Sequence, residues 1–162
     1  MRKCLGAVCA IALGISLTTV SSLATVPQEG PSAPSFTTPA DIAWKDGPPS
    51  LPPGAQFVVL DGNPKEPAIF TMRIKLPADY KIPPHHHPSV ERSTVLSGQF
   101  NAALGDAFDP SKGKELKAGS YMRIPAKTHH YGFTKEETVI QLTTIGPWDL
   151  IYVNPADDPR KK

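Results

Sequence analysis

The chain has 162 residues, among them 19 prolines, 12 glycines and 2 cysteines. Its formal charge is +2, from 17 Lys and Arg against 15 Asp and Glu, and Arg2 and Lys3 account for that excess. The length suits one domain, and the balanced remainder excludes a large basic face for nucleic acid or for an anionic membrane surface.

In chain order, the first segment reads as an export signal. Arg2 and Lys3 precede an apolar, uncharged run from Leu5 to Val20, and the small residues around Ala24 suit a signal peptidase. Residues 1–24 are expected to be removed, leaving a periplasmic or secreted protein free of the membrane. An uncleaved anchor is the alternative, disfavoured because the run falls short of the ~20 residues a span prefers. Cys4 and Cys9 leave with this segment, so the mature chain is expected to lack disulfides and thiolate chemistry. Residues 25–43 form a proline-rich arm, carrying Pro27, Pro31, Pro34 and Pro39. Thr38-Pro39 predicts one short helical turn running to Trp44, with Trp44 plugging one end of the core.

From residue 44 to 160 the pattern is that of strands. Gln56 to Leu60 is a short apolar run closed by the turn signal Asp61-Gly62-Asn63-Pro64. In Ala68 to Leu76, Phe70, Met72, Ile74 and Leu76 alternate with Ile69, Thr71, Arg73 and Lys75, which predicts a half-buried strand. Arg92 to Ser97 and Gln99 to Phe108 flank Gly98 as a predicted hairpin. Ser120 to Ile124, His130 to Thr134, Thr138 to Ile145 and Leu150 to Val153 complete the set. No segment after the signal supports a long helix. The fold class is therefore all-β, an antiparallel sandwich or barrel.

The 5 histidines fall into two groups, His85-His86-His87 and His129-His130. On an extended segment His85 and His87 share a face while His86 points away. Glu91 lies one short link further on, and the second group is distant enough to come from another strand. Imidazoles and a carboxylate together make a mixed nitrogen and oxygen site for a divalent transition metal.

These residues resemble the two metal-binding motifs of the cupins. His85-x-His87, Glu91 and Gly98 follow the first motif, and Gly119, Pro125 and His130 follow the second. Asp79 stands where the first motif opens with glycine, Lys127 where the second has its inner glycine, and Thr134 where it closes with asparagine. The stretches LPPGAQFVVLDGNP, RIKLPADYKIPPHHHP, TVLSGQF and GPWDLIYVNPADDPR are similar to small exported single-domain bacterial cupins, for which the resemblance names no reaction. It implies a single jelly-roll barrel and one divalent ion (Mn, Fe, Zn, Ni or Co) on His85, His87, Glu91 and His130, with His129 as the alternative to His130. It also implies a small-molecule ligand at the barrel mouth, and a homodimer is left open. Glu91 and Tyr131 are the expected catalytic residues, and Tyr121, Arg123 and Gln141 are neighbours able to orient a substrate. A metal-dependent dioxygenase acting on a small oxygenated or aromatic substrate is the leading expectation. A metal-dependent isomerase or lyase, or a binding protein without turnover, stands beside it.

Overall fold

A computed structural model describes residues 33–162. The expected signal and the first part of the arm lie outside these residues. Eleven strands follow: β1 (Lys45–Asp46), β2 (Gln56–Asp61), β3 (Ile69–Leu76), β4 (Lys81–His86), β5 (Glu91–Ser97), β6 (Gln99–Leu104), β7 (Lys114–Lys117), β8 (Tyr121–Ile124), β9 (His130–Thr134), β10 (Thr138–Ile145) and β11 (Ile151–Tyr152). They form two sheets, of order β1-β2-β3-β10-β5-β8 and β11-β4-β9-β6-β7. All the pairings are antiparallel, which gives a jelly-roll sandwich. Short 3-10 turns are the only helical elements among the described residues, and none of their helices is long and apolar enough to cross a membrane.

Strand β3 shows why the sandwich closes. Phe70, Met72, Ile74 and Leu76 are buried, while Thr71, Arg73 and Lys75 line the other face. They meet Ile140, Leu142, Val95 and Phe100 in one core. Each such side chain contributes roughly 1.5–3 kcal/mol on full burial. The outer face is held by cross-strand polar pairs: Thr71 and Thr143 hydroxyls lie 2.9 Å apart, and Arg73 Nε donates to Gln141 Oε1 at 3.1 Å. Gln141 is therefore committed to the outside of the sandwich and does not face the histidines.

Three further expectations change. Strands β5 and β6 do not form a hairpin: β5 pairs with β10 and β8, and β6 with β7 and β9. Gly98 is the corner where the chain leaves one sheet for the other, with φ 72°, and a Cβ there would collide with the Glu137 carbonyl. Trp44 is half-buried and lies under the Lys75 ammonium, 4.5 Å from the ring centre, outside the core. The turn before it is only Pro39–Asp41, closed by the Asp41 carboxylate accepting from the Thr38 N–H at 2.7 Å.

The motif departures are absorbed locally. Asp79 (φ 56°) and Lys127 (φ 61°) are the non-glycine residues with positive φ among the described residues. Both stand where the motifs carry glycine, so the backbone turns as glycine would turn it, at a modest steric cost. Thr134 ties the same region together, donating to the Pro77 carbonyl at 2.6 Å and accepting from the Tyr80 N–H at 3.1 Å.

Candidate metal centre

The centre is built where β4, β9 and β5 approach across the sandwich. In the pairing of β4 with β9, Ile82 lies opposite Gly132 and His85 opposite His130. One strand advances three residues while the other advances two, so β4 carries a bulge at Pro83-Pro84. Prolines lack the N–H that a regular ladder requires, which suits them to this place. The extra residue changes the parity of the strand. Continued alternation from buried Ile82 would turn His86 inward; the bulge turns His85 and His87 inward instead.

The ligand atoms of His85, His87 and His130 lie within 4.8 Å of one another. Glu91, the first residue of β5 in the opposite sheet, directs Oε2 at them, 3.1 Å from His87 Nε2 and 3.3 Å from His130 Nε2. All four residues are buried, none more than 6 % exposed. Each histidine is held from behind by a backbone carbonyl. His85 Nδ1 lies 2.7 Å from the Pro83 oxygen, His87 Nδ1 2.7 Å from that of Asp149, and His130 Nδ1 3.0 Å from that of Thr128. A carbonyl only accepts, so Nδ1 carries the proton and Nε2 of the neutral ring keeps its lone pair. Ligating histidines are oriented in this way.

Electrostatics set which of these rings takes up a second proton. Burial, reinforced by His130 and His87, holds the His85 imidazole well below 6.5 and therefore neutral. Burial opposes a charge on Glu91, but His130 and His87, whose Nε2 atoms lie 3.3 and 3.1 Å from Oε2, outweigh it and hold the carboxyl well below its usual range. Burial also opposes a charge on His87, yet Glu91 raises its proton affinity above the ordinary value. A buried carboxylate with three neutral imidazoles would carry one uncompensated negative charge, which is costly in a low dielectric. A proton on His87 offsets it, and a divalent cation would offset it with more donors satisfied. The donor set and its orientation fit one transition-metal ion.

Sequence reasoning missed the residues that support this set. Ser93 Oγ donates to Glu91 Oε1 at 2.6 Å, leaving Oε2 for the histidines. Ser93 is two residues beyond Glu91 on one strand, so period two would have placed it on the same face. Trp148 stacks on His87, with ring centres 5.7 Å apart and planes 18° from parallel. No local pattern links those two, since they meet only through the tertiary fold.

The other residues singled out lie elsewhere. His86 and His129 stack on each other outside the centre, at 5.3 Å and 20°, and His129 Nδ1 lies 2.6 Å from Asp106 Oδ1. His130, not His129, faces the cluster. Tyr131 is next to His130 on β9 and so points through the opposite face. Its hydroxyl donates to the Asp109 carbonyl at 2.8 Å and its ring packs on Phe108 at 5.2 Å, so it does not reach the histidine cluster, contrary to the expected catalytic role. Arg123 is exposed on β8, and Tyr121, exposed on the same strand, lines the outer cleft.

A void of about 30 Å³ adjoins the four inward residues, walled by Phe100, Met122, Ile140, Leu142 and Trp148 among others. His130 and Met122 also line a larger cleft of about 450 Å³ that opens between β7 and β8, the free edges of the two sheets.

Comparison with known proteins bears on the whole arrangement. Residues 32–149 match the model of the family described as the ChrR cupin-like domain. No curated protein matches the chain. Among solved structures, an acetylacetone dioxygenase from Acinetobacter johnsonii is similar at 18 % identity and TM-score 0.61, over 81 % of this chain and 85 % of that one. The polyketide cyclase RemF from Streptomyces resistomycificus is similar at 15 % identity and TM-score 0.61, over 80 % and 92 %. An RmlC-like cupin from Shewanella frigidimarina is similar at 17 % identity and TM-score 0.53, over 70 % and 91 %. Likeness at these identities concerns the fold.

Proposed function

This chain belongs to the ChrR cupin-like domain family, and from that premise and the buried histidine cluster we propose that it is an exported metalloenzyme that oxidises a small oxygenated substrate with dioxygen. His85, His87, Glu91 and His130 would hold one divalent ion (Mn, Fe, Zn, Ni or Co). When bound, that ion supplies Lewis acidity and, where it is redox-active, electrons for dioxygen.

The observation that carries the metal is the set of three Nδ1 contacts to carbonyls, which turns three Nε2 lone pairs and Glu91 Oε2 toward one point. The chain's own groups then do the remaining work. Ser93 fixes the Glu91 carboxylate, the Asp149 carbonyl and Trp148 fix His87, and Phe100, Leu142 and Ile140 keep bulk water from the inner void. An isomerase or lyase needs a side chain to carry a proton to or from the substrate. Among the described residues lining the inner void, the titratable groups are the four ligands themselves. That favours oxidation over a proton transfer carried by a further residue of the inner void. The likeness in fold to an acetylacetone dioxygenase supports the same direction.

Elemental analysis of untagged protein, followed by oxygen-electrode assays on β-diketones and catechols, tests the reading. About one equivalent of metal and metal-dependent oxygen uptake are expected. Metal-free protein, or a fully loaded one that consumes no oxygen across the panel, would count against it.

A further inference from the structure

The inner void and the outer cleft differ in capacity. About 30 Å³ accommodates a water or two, whereas about 450 Å³ lies in the range of small-ligand pockets. His130 and Met122 line both, so the two adjoin at these side chains. An organic substrate is too large for the inner void and would lie in the cleft, with one end at His130. The cleft floor is apolar, from Ala102, Leu116, Met122 and Ile124, and no carboxylate lines it.

Its rim is basic. On β7 Lys114 alternates with Glu115 and so shares a pleat face with buried Leu116. Glu115 and Lys117 face the other way and pair with each other at 3.1 Å. Lys112 leans on Asp109 at 3.6 Å. Lys114 lines the cleft and, among the described residues, has no ion-pair partner. An inward lysine on an edge strand can also serve only to discourage strand addition. Here, however, it borders a cavity of ligand size with a metal-type centre at its inner end.

We infer that the substrate is a small organic acid, with its carboxylate at Lys114, an apolar stretch along the cleft floor and its reacting end at His130. This rests on the function proposed above for its reacting end only; recognition of the acid depends on the cleft.

Calorimetric titration of the full chain, as purified, with hexanoate, 1-hexanol, hexylamine and hexyl phosphate tests it. Hexanoate should bind about fivefold more tightly than hexanol, the upper range of an exposed ion pair, and hexylamine more weakly than either. Lys114→Met keeps the apolar stem; it should erase the preference for hexanoate while leaving hexanol affinity and metal content unchanged. Lys112→Met should reduce the preference less. Equal binding of hexanoate and hexanol overturns the inference, as does tighter binding of hexyl phosphate than hexanoate. So does a preference that survives Lys114→Met but vanishes in His85→Ala/His87→Ala, because the acid would then sit on the metal. Protein without metal that still shows the Lys114-dependent preference would sink the proposed function and leave the acid recognition standing.

Discussion

Histidines 85, 87 and 130 and histidines 86 and 129 are the same residue type, adjacent in sequence, on or immediately beside the same two strands. The first three converge within 4.8 Å, buried, each backed by a carbonyl. The other two stack on the outer surface, one leaning on Asp106. What separates them is the pleat, and on β4 the bulge at Pro83-Pro84 that sets its parity. A histidine cluster in a sequence is thus not a site; the register decides which members become one.

The contrast can be broken hardest from the inside. Replacing His85 and His87 together by alanine should remove stoichiometric metal, read by elemental analysis, while circular dichroism shows the sheets intact. A full equivalent retained by the double variant would dissolve the distinction between inner and outer histidines.

Ser93→Ala tests whether support from behind matters as much as the ligand. Loss of its bond to Glu91 should weaken metal affinity by about tenfold or more, measured by competition with a chelator. An unchanged constant would mean that Glu91 is held by the histidines alone.

Acid should sharpen the comparison among the inner residues. The proton affinity of His87 is raised by Glu91, so a proton competes for it before it competes for His85, as pH falls toward 6.5. His85, held well below 6.5, stays neutral through that range. In metal-free protein the signs oppose. His85 takes a proton more readily unfolded than folded, so its contribution is full above 6.5 and erodes below it. His87 contributes below 6.5 and loses its share as pH rises through its raised value. Apparent metal affinity should therefore fall on acidification with a slope near one proton per ion at first, and a slope near three from the outset would contradict this account.

Outward substitutions should touch stability and leave metal alone. Tyr131→Phe removes the bond to the Asp109 carbonyl and should cost about 1 kcal/mol in denaturant unfolding, with a full equivalent of metal retained. The smallest effect belongs to His86→Ala, whose metal content should match the parent. If it loses as much as His87→Ala, the register drawn for β4 is wrong.

Much of this was legible beforehand, for identifiable reasons. Period two in β3 and the pairing of His85 with His87 are local properties, and alternation alone exposes them. The left-handed turns at Asp79 and Lys127 were marked by the glycines they replace. What was hidden depends on partners far along the chain. Nothing near Gly98 says that its flanking strands enter different sheets. Tyr131 lies on a strand of the site, but it adjoins His130, and adjacency on a strand means opposite faces. Trp148 and Asp149 support His87 from sixty residues away, beyond any local period.

That distance has a kinetic side. Strand β10 runs from Thr138, opposite Leu76, to Ile145, opposite Ile69, and it also joins β5. Pairings of such wide separation close large loops, and chains dominated by them fold in milliseconds to seconds. The three inward histidines and Glu91 come from both sheets, so they are assembled only when this slow zipping is complete. A nascent chain therefore carries scattered histidines, and the cluster acquires its geometry as the last event of folding.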